Sequence, residues 1–357
     1  MPNLEPLIGK SRAELEQIVV KLGHKPYRGR QIAHWLYEKA AQTFDDLQDL
    51  PKNLREQLEK DYIVSPLFLA DHRKSTDNVD KILVHNGDNQ VFEAVLLPYE
   101  KRVSCCISSQ IGCPMGCTFC ATGMGGFDRN LTASEIVAQY LYLQSLTDRR
   151  ISHVVFMGMG EPLLNFDNVV AALTILHEEV GLSYRNLTVS TVGLVLQILK
   201  LAELKLPIHL ALSLHSANDS IRSNLMPVNN RWDVAETWGA MKKYQRITGR
   251  KVMIEYLLIS ELNDTPEQAE ALAQLVRGTP HVVNLIPFNW VDTGNGFQRP
   301  ARSRINTFKS ILEQNQINVT ERVERGHDIA AACGQLAGQH QGKFARRTPS
   351  NPLTVVP

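Results

Sequence analysis

Long apolar runs are absent from this chain of 357 residues. No stretch approaches the roughly 18 consecutive apolar residues that predict a transmembrane helix. The N-terminus also lacks the basic and then apolar pattern of a signal peptide. The formal net charge is only +1, so no strong overall field attracts nucleic acid or a membrane surface. These absences predict a cytoplasmic protein that does not bind membranes. The chain is also expected to be a monomer.

Cysteine is also scarce, with six residues in the whole chain. That number is too small for a disulfide scaffold, and cytosolic thiols stay reduced. Three of the six, however, are crowded into the stretch SSQIGCPMGCTFCATG as Cys113, Cys117 and Cys120, and no fourth cysteine accompanies them. Such clustering in a reduced compartment indicates metal binding or catalysis.

The three crowded thiols suit an iron–sulfur cluster better than zinc. Structural zinc takes four ligands, often as two CxxC pairs, so His85, His153 or His215 would have to complete a zinc site, and this alternative stays open. A 4Fe–4S cluster is held by thiolates, and three of them leave one iron open to a ligand. The CxxxCxxC spacing, with Phe119 just before the third cysteine, is typical of radical S-adenosylmethionine (SAM) enzymes.

In that class of enzyme, SAM binds the open iron through its amino and carboxylate groups. An electron from the cluster then cleaves the sulfonium and leaves a 5′-deoxyadenosyl radical. The cofactors carry the difficult chemistry, while the protein orients them and excludes water.

The pattern along the chain predicts an α/β fold with four parts. Residues 1–75 are expected to form a helical, RNA-binding module, and residues 76–110 a β-hairpin and a strand leading to the cysteine loop. Residues 111–340 alternate Val-, Ile- and Leu-rich strands with helices, which indicates a helix-covered parallel sheet. About seven parallel strands predict a partial, open barrel of radical SAM type rather than a closed eightfold barrel. Residues 341–357 are expected to form a flexible tail.

Ligands of such folds bind at the carboxyl ends of the strands, which identifies a set of candidate SAM contacts. Gly160 lets the backbone approach a ligand closely, and the Glu161 carboxylate can accept hydrogen bonds from the SAM ammonium group. Polar residues at the ends of the following strands, together with the leucine between two of them, complete the set: Ser190, Ser213, Leu214, His215 and Asn289. Taken one at a time, each of these residues also suits an ordinary turn or helix cap.

With these residues in place, the chain resembles the RlmN/Cfr family of radical SAM RNA methyltransferases from about residue 10 to about residue 340. The motifs that carry the resemblance are GCPMGCTFCATG, VVFMGMGEPLLN, LSLHS, LIPFN and RGHDIAAACGQL. The last is the most diagnostic, because other radical SAM enzymes lack it. The resemblance implies methylation of adenine C2 in 23S rRNA at the peptidyl transferase centre and in tRNA just 3′ of the anticodon. Methylation of C8, as in Cfr, and a non-catalytic iron–sulfur or zinc RNA-binding protein are the alternatives.

The resemblance also assigns roles to three residues outside the cysteine loop. Cys333 accepts a methyl group from a first SAM and becomes S-methylcysteine, and the radical from a second SAM removes a hydrogen atom from that methyl group. Cys106 then releases the RNA by forming a disulfide with Cys333, and Glu93 is the general base. Flavodoxin or ferredoxin is the implied electron donor. Cys105 and Cys106 point to opposite faces of a strand, so a slip in register would exchange their roles.

Basic stretches are expected to hold the RNA backbone. They comprise Lys21, Lys25, Arg28, Arg30 and Lys39 near the N-terminus; Arg222, Arg231, Lys242, Lys243, Arg246, Arg250 and Lys251; and Lys343, Arg346 and Arg347. The target adenine would have to be splayed out of folded RNA to reach the site.

Overall fold

The computed structural model describes residues 4–88, 90–291 and 294–337. It begins with a small helical unit whose elements are β1 (Glu5–Pro6), α1 (Arg12–Lys21), α2 (Tyr27–Tyr37), α3 (Lys52–Leu58) and β2 (Tyr62–Ile63). The first helix begins with a capping box, in which Ser11 and Glu14 satisfy each other's backbone N–H groups. Its buried face is formed by Leu15, Ile18 and Val19, which recur at helical spacing.

An antiparallel extension follows, made of β3 (Phe68–Lys74), β4 (Asp80–His85), β5 (Val91–Pro98) and β6 (Val103–Cys106). The predicted hairpin corresponds to β4 and β5. The helical prediction is wrong for β3, whose segment FLADHRK lies within the range assigned to the helical module. This segment pairs with β4 along its length and so satisfies backbone groups of β4 that would otherwise lack partners.

The rest of the described chain builds the core. Its first elements are β7 (Gln110–Gly112), α4 (Ala121–Met124), β8 (Phe127–Asn130), α5 (Ala133–Ser145), β9 (Ile151–Phe156), α6 (Phe166–Glu178), β10 (Leu187–Thr191) and α7 (Val195–Glu203). They are followed by β11 (His209–Ser213), α8 (Asp219–Leu225), α9 (Val234–Thr248), β12 (Val252–Leu258), α10 (Pro266–Val276), β13 (His281–Pro287), α11 (Arg302–Gln314) and β14 (Val319–Glu321). Short 3₁₀ turns occupy Phe44–Asp46, Pro162–Asn165, Tyr184–Asn186, Pro227–Asn230 and His327–Ile329.

One ten-stranded sheet runs in the order β14-β13-β12-β11-β10-β9-β6-β5-β4-β3. Within this sheet, β6, β9, β10, β11, β12, β13 and β14 are parallel to one another. On its other side, β6 pairs antiparallel with β5, and the pairs β5–β4 and β4–β3 are also antiparallel. The sheet keeps two separate edges, β14 and β3. The predicted open parallel barrel of an α/β protein is therefore confirmed.

The two faces of the parallel strands differ in chemistry. Residues that face the helices are apolar and almost fully buried: Val154, Val189, Leu210, Ile254 and Val283. Burial of each such side chain stabilises the fold by about 1.5–3 kcal/mol. The opposite face includes one polar layer, which the strand register aligns as Ser213, Glu255, Asn284 and Thr320. This polar face forms the interior of the partial barrel. None of the helices described here is both long and apolar enough to span a bilayer.

Candidate active site

The cysteine loop follows β7 and is tied to the core by backbone hydrogen bonds. The Cys113 N–H donates to Gly126 O at 2.8 Å, and the Cys120 N–H donates to Cys117 O at 3.2 Å. The N–H of Ala121, just after the third cysteine, donates to Gly334 O at 2.9 Å. The loop is therefore attached to the C-terminal segment that carries Cys333.

The three loop thiols are close enough to influence one another electrostatically. Burial raises the pKa of Cys117, and Cys113 and Cys120 raise it further, while the Arg222 guanidinium acts in the opposite direction. Burial is also the main cause of the raised pKa of Cys113, which Cys120 and Glu161 raise further. Thiolates at these buried positions would repel one another, and binding to a cationic iron–sulfur centre would offset that repulsion. Three thiolates are the donor set for a 4Fe–4S cluster with one open iron.

The zinc alternative required a histidine at the loop. His85 stacks on Phe68 with ring centroids 5.6 Å apart, and His153 lies on β9, where Nδ1 is 2.8 Å from Ser152 Oγ. His215 lies at the loop, where its ring makes an edge-to-face contact with Phe119 at a centroid distance of 4.9 Å. Across the described ranges, no three His, Cys, Asp or Glu side chains are placed to hold a single metal ion.

Glu161 lies in the turn that follows β9 and is buried beside the cysteine loop. Its Oε1 accepts from the Leu163 N–H at 3.0 Å, and its Oε2 accepts from the Val192 N–H at 2.9 Å. Burial raises the pKa of Glu161 to about 7, against these hydrogen bonds, which lower it. The neighbouring Gly160 has φ +101°, and a Cβ there would lie 2.5 Å from Gln110 Cβ. The close approach at this glycine is therefore to Gln110.

Four further predicted SAM contacts lie at or just after the ends of the adjacent strands β10 and β11. Ser190 Oγ of β10 is 3.3 Å from Ser213 Oγ of β11, so both hydroxyls lie on the interior face. Leu214 is fully buried. His215 has φ +59°, and its Nδ1 accepts from the Leu257 N–H at 3.0 Å. Because Nδ1 accepts, the neutral ring carries its proton on Nε2 and keeps that donor for another partner.

The Cys333 segment is held by hydrogen bonds from several elements of the fold. Asn289 Nδ2, after β13, donates to Cys333 O at 3.2 Å, and Glu93 Oε2, on β5, accepts from the Ala337 N–H at 2.8 Å. The other oxygen of Glu93 pairs with Lys81 Nζ at 3.0 Å, with both side chains buried. Contacts of β5, β13 and the cysteine loop thus converge on this segment.

The pairing register of β6 with β5 determines the face of the sheet on which each of the two adjacent cysteines, Cys105 and Cys106, lies. Cys106 pairs with Val95, which lies two residues from Glu93, and so Cys106 shares the face of Glu93. Cys105 is fully buried on the other face. Burial raises the pKa of Cys106 to about 12, and Cys333 adds to this effect. Both Cys106 and Cys333 are free thiols, so the expected disulfide is not present in this structure.

Comparison with known proteins agrees with this geometry. Residues 107–276 match the Radical SAM superfamily, and residues 6–64 match the ribosomal RNA large subunit methyltransferase N-terminal domain. A probable dual-specificity RNA methyltransferase RlmN of Rippkaea orientalis is 45% identical over 332 residues, which cover 93% of this chain and 97% of that protein. The protein of the same name from Microcystis aeruginosa is 45% identical over 92% of this chain and 97% of its own length.

The chain belongs to the RlmN family of radical SAM RNA methyltransferases. The resemblance that the motifs predicted is therefore confirmed. The crystal structure of a radical SAM methyltransferase from Sphaerobacter thermophilus superposes with a TM-score of 0.90 at 42% identity, covering 94% of this chain and all of that one. Membership implies a 4Fe–4S cluster, SAM and an RNA substrate for this RlmN family protein.

The expected RNA contacts of this RlmN family protein need one correction. Arg222 is fully buried and cannot touch RNA. Its guanidinium donates to Leu214 O at 3.1 Å, to Asn229 Oδ1 at 2.7 Å and to Val192 O at 2.6 Å. These hydrogen bonds join the segments that follow β10 and β11. Arg250 is half-buried against His209, at 3.1 Å. The remaining basic residues of that stretch are exposed, while Lys343, Arg346 and Arg347 lie outside the described residues.

Two interior residues of the RlmN site were missed from the sequence. Glu255 interrupts the apolar strand β12, and Arg322 directly follows β14; they pair at 3.0 Å inside the barrel. A carboxylate within an apolar run was the available signal, because a buried charge requires a partner. The partner lies 67 residues away, and no local pattern identifies it.

Proposed function

We propose that this RlmN family protein methylates C2 of adenine, in 23S rRNA at the peptidyl transferase centre and in tRNA just 3′ of the anticodon. The observation that carries the proposal is the pair Cys106 and Cys333, two free thiols placed so that Cys333 raises the pKa of Cys106. C2 is an electron-poor, amidine-type carbon, so direct transfer of an electrophilic methyl group to it is unfavourable. A cysteine that carries the methyl group, with a second cysteine to release the product, avoids this difficulty.

The cofactor side of the proposal uses the cysteine loop and the strand ends. Cys113, Cys117 and Cys120 would hold the 4Fe–4S cluster, and two SAM molecules would be used per turnover. When bound, the cluster and SAM supply one-electron chemistry that removes a hydrogen atom from a methyl group. The proposed SAM contacts are Gly160, Glu161, Ser190, Ser213, Leu214, His215 and Asn289, and their positions at adjacent strand ends near the loop support this assignment.

The chain's own residues would then perform three tasks. Cys333 takes the methyl group onto Sγ and presents it to the adenine, which leaves a thioether between protein and RNA. Glu93 removes the proton from the substituted carbon, and its position beside the Cys333 segment supports that role. Cys106 attacks Sγ of Cys333, so that an S–S bond forms as the S–C bond to the product breaks.

The proposed partners follow from the same scheme. The exposed cations Lys21, Lys25, Arg30 and Lys39 of the N-terminal unit are suited to contacting the RNA backbone. Flavodoxin or ferredoxin is proposed as the electron donor, and the chain is proposed to act as a monomer in the cytoplasm.

The test uses anaerobically reconstituted protein with a reductant, SAM, and protein-free 23S rRNA or unmodified tRNA. The RNA is digested, and the nucleosides are identified by mass spectrometry against standards. We expect 2-methyladenosine with both RNAs, and no product from the Cys117→Ala variant, which also loses the brown colour. 8-Methyladenosine would instead show Cfr-type regiochemistry. RNA binding without product, with SAM left intact, would show a non-catalytic RNA-binding protein.

A further inference from the structure

A buried ion pair lies on the antiparallel extension, between Lys81 of β4 and Glu93 of β5. Lys81 Nζ is 3.0 Å from Glu93 Oε1, and only 9% and 5% of the two side chains are exposed. Lys81 pairs directly with Val95, two residues from Glu93, so the two charged side chains are diagonal neighbours on one face of the sheet. Cys106 also pairs with Val95. The ion pair therefore lies on the same face as the cysteine that is proposed to release the RNA.

Both members of this ion pair also contact the segment that carries Cys333. Lys81 Nζ donates to Ala330 O at 3.1 Å, and Glu93 Oε2 accepts from the Ala337 N–H at 2.8 Å. Cys333 lies between these two attachment points, three residues after the first and four before the second. The ion pair and the segment thus form a closed loop of contacts, which constrains the position of Glu93 relative to Cys333.

Stability is a poor explanation for this ion pair. Taking two charges out of water is costly, and apolar side chains of similar volume often stabilise a fold as well or better. The neighbouring charges on β3, Asp71 and Arg73, pair with each other at 2.9 Å. The Lys81 ammonium is therefore directed at Glu93 and at the Cys333 segment rather than at the exposed edge of the sheet.

We propose that Lys81 is a positioning residue that holds the Glu93 carboxylate at a fixed position relative to Sγ of Cys333. This inference rests on the proposed function, in which Cys333 carries the methyl group and Glu93 is the general base. The base must reach the proton on the same adenine carbon that Cys333 has alkylated, so the two side chains need a fixed separation. In that step the C–H bond of the adenine breaks, the proton goes to a Glu93 oxygen, and the electron pair stays on the adenine. Lys81 acts only through Glu93.

Loss of Lys81 should leave the earlier steps intact, because other contacts hold the Cys333 segment. Asn289 Nδ2 donates to Cys333 O at 3.2 Å, and the Ala121 N–H donates to Gly334 O at 2.9 Å. Neither contact involves the ion pair. Transfer of a methyl group from SAM to Cys333 should therefore proceed in a Lys81 variant, whereas removal of the proton from the adenine should become slower.

The experiment compares Lys81→Met with the wild type as anaerobically reconstituted full-length protein of equal cluster content. Peptide mass spectrometry follows methylation of Cys333 by SAM, and nucleoside mass spectrometry follows methyladenosine in single turnovers at a series of 23S rRNA concentrations. We expect Cys333 methylation and the half-saturating RNA concentration to stay within about twofold of the wild type, while the rate at saturating RNA falls by about 10- to 100-fold. Lys81→Arg should recover most of that rate, because a guanidinium keeps the charge and has donors for both acceptors.

Two further comparisons separate positioning from a structural role. Glu93→Gln should lower the same rate by about 10²- to 10⁴-fold, and adding Lys81→Met to it should cause little further loss, because contacting residues that act as a unit are not additive. A purely structural Lys81 would instead lower the rate independently, together with the methylation of Cys333. Lys74→Met is the matched control and should behave as the wild type, because Lys74 lies on the exposed edge strand, 3.9 Å from Asp80.

An unchanged rate in Lys81→Met, or losses that add fully in the double variant, would overturn the inference. If Lys81→Met does not fold, Lys81→Gln, which keeps a donor but loses the charge, is measured in the same way and against the same outcomes. If Glu93→Gln loses product formation while the Lys81 variant does not, only the role of Lys81 fails. If Glu93→Gln forms product at the wild-type rate, Glu93 is not the base, and the proposed function loses that step together with this inference.

Discussion

The Glu93 carboxylate accepts a hydrogen bond from the backbone N–H of Ala337 at 2.8 Å, across 244 residues of sequence. The same carboxylate pairs with Lys81 at 3.0 Å on the neighbouring strand, and Lys81 Nζ also donates to Ala330 O at 3.1 Å. The antiparallel extension therefore fastens the Cys333 segment at both ends. A carboxylate on this extension and a thiol near the C-terminus are thereby brought to one site.

The two cysteines of β6 should behave differently when replaced. Cys106→Ala is expected to accumulate a covalent protein–RNA adduct, because no thiol remains to break the thioether. Labelled RNA that stays with the protein on a denaturing gel measures the adduct, and the double variant Cys106→Ala with Cys333→Ala should show none. Cys105→Ala is the matched control and should turn over without an adduct, since Cys105 is buried on the opposite face. If the adduct accumulates only in Cys105→Ala, then Cys105 and not Cys106 is the cysteine that releases the RNA.

Gly160→Ala should destabilise the protein by about 1–3 kcal/mol, the usual cost of a backbone conformation that side chains rarely adopt. Its φ is +101°, and the new Cβ would lie 2.5 Å from Gln110 Cβ. Urea unfolding of the metal-free, reduced chain measures the change. Gly239→Ala, in α9 with nothing within 4 Å of its Cβ, should instead stabilise by about 0.5–1 kcal/mol. Equal effects of the two substitutions would contradict this account.

Arg222→Met should lower the free energy of unfolding by about 2–4 kcal/mol, because several buried acceptors lose their donor. These acceptors are Leu214 O, Val192 O and Asn229 Oδ1. Lys242→Met, at an exposed position in the same basic stretch, should change the stability by about 0.5 kcal/mol or less. Urea unfolding of both variants checks the difference. An unchanged free energy of unfolding in Arg222→Met would mean that the buried acceptors find other donors when this side chain is removed.

The contribution of His215 to the stability of the metal-free chain should fall as the pH drops below 7, opposite in sign to that of Glu161, whose raised pKa lets the folded chain bind a proton first. Burial, with a further contribution from Arg222, lowers the pKa of His215 from 6.5 to about 3. Between pH 7.5 and 5 the unfolded chain therefore binds a proton that the folded chain does not. This difference lowers the free energy of unfolding by about 2 kcal/mol over that range.

The comparison variant for this pH effect is His215→Asn. Asn tolerates the positive φ of 59°, and its side-chain oxygen can replace Nδ1 as the acceptor for the Leu257 N–H. Urea unfolding is measured at the two pH values. On going from pH 7.5 to 5, the free energy of unfolding of His215→Asn should change by about 2 kcal/mol in the favourable direction relative to the wild type. The same pH dependence in both proteins would contradict the buried, neutral state of His215.

Local patterns accounted for much of the fold and part of the site. The three N-terminal helices, the hairpin and the parallel strands followed from periodicity, because each depends on which face of a short element is apolar. The edge strand β3 was missed because FLADHRK carries little local signal and becomes a strand by pairing with β4. Arg222 was assigned to RNA because its charge was visible in the sequence, whereas its burial between strand ends was not.

The sequence by itself determined the cysteine spacing, the class of cofactor and the family, because these depend on residues close together along the chain. Tertiary structure decided which cysteine of the tandem pair faces Cys333, since that depends on the register of β6 against β5. It also decided the pairing of Glu255 with Arg322 and of Glu93 with Ala337. These contacts join distant segments, and only the folding of the whole chain around the open sheet brings their atoms within hydrogen-bonding distance.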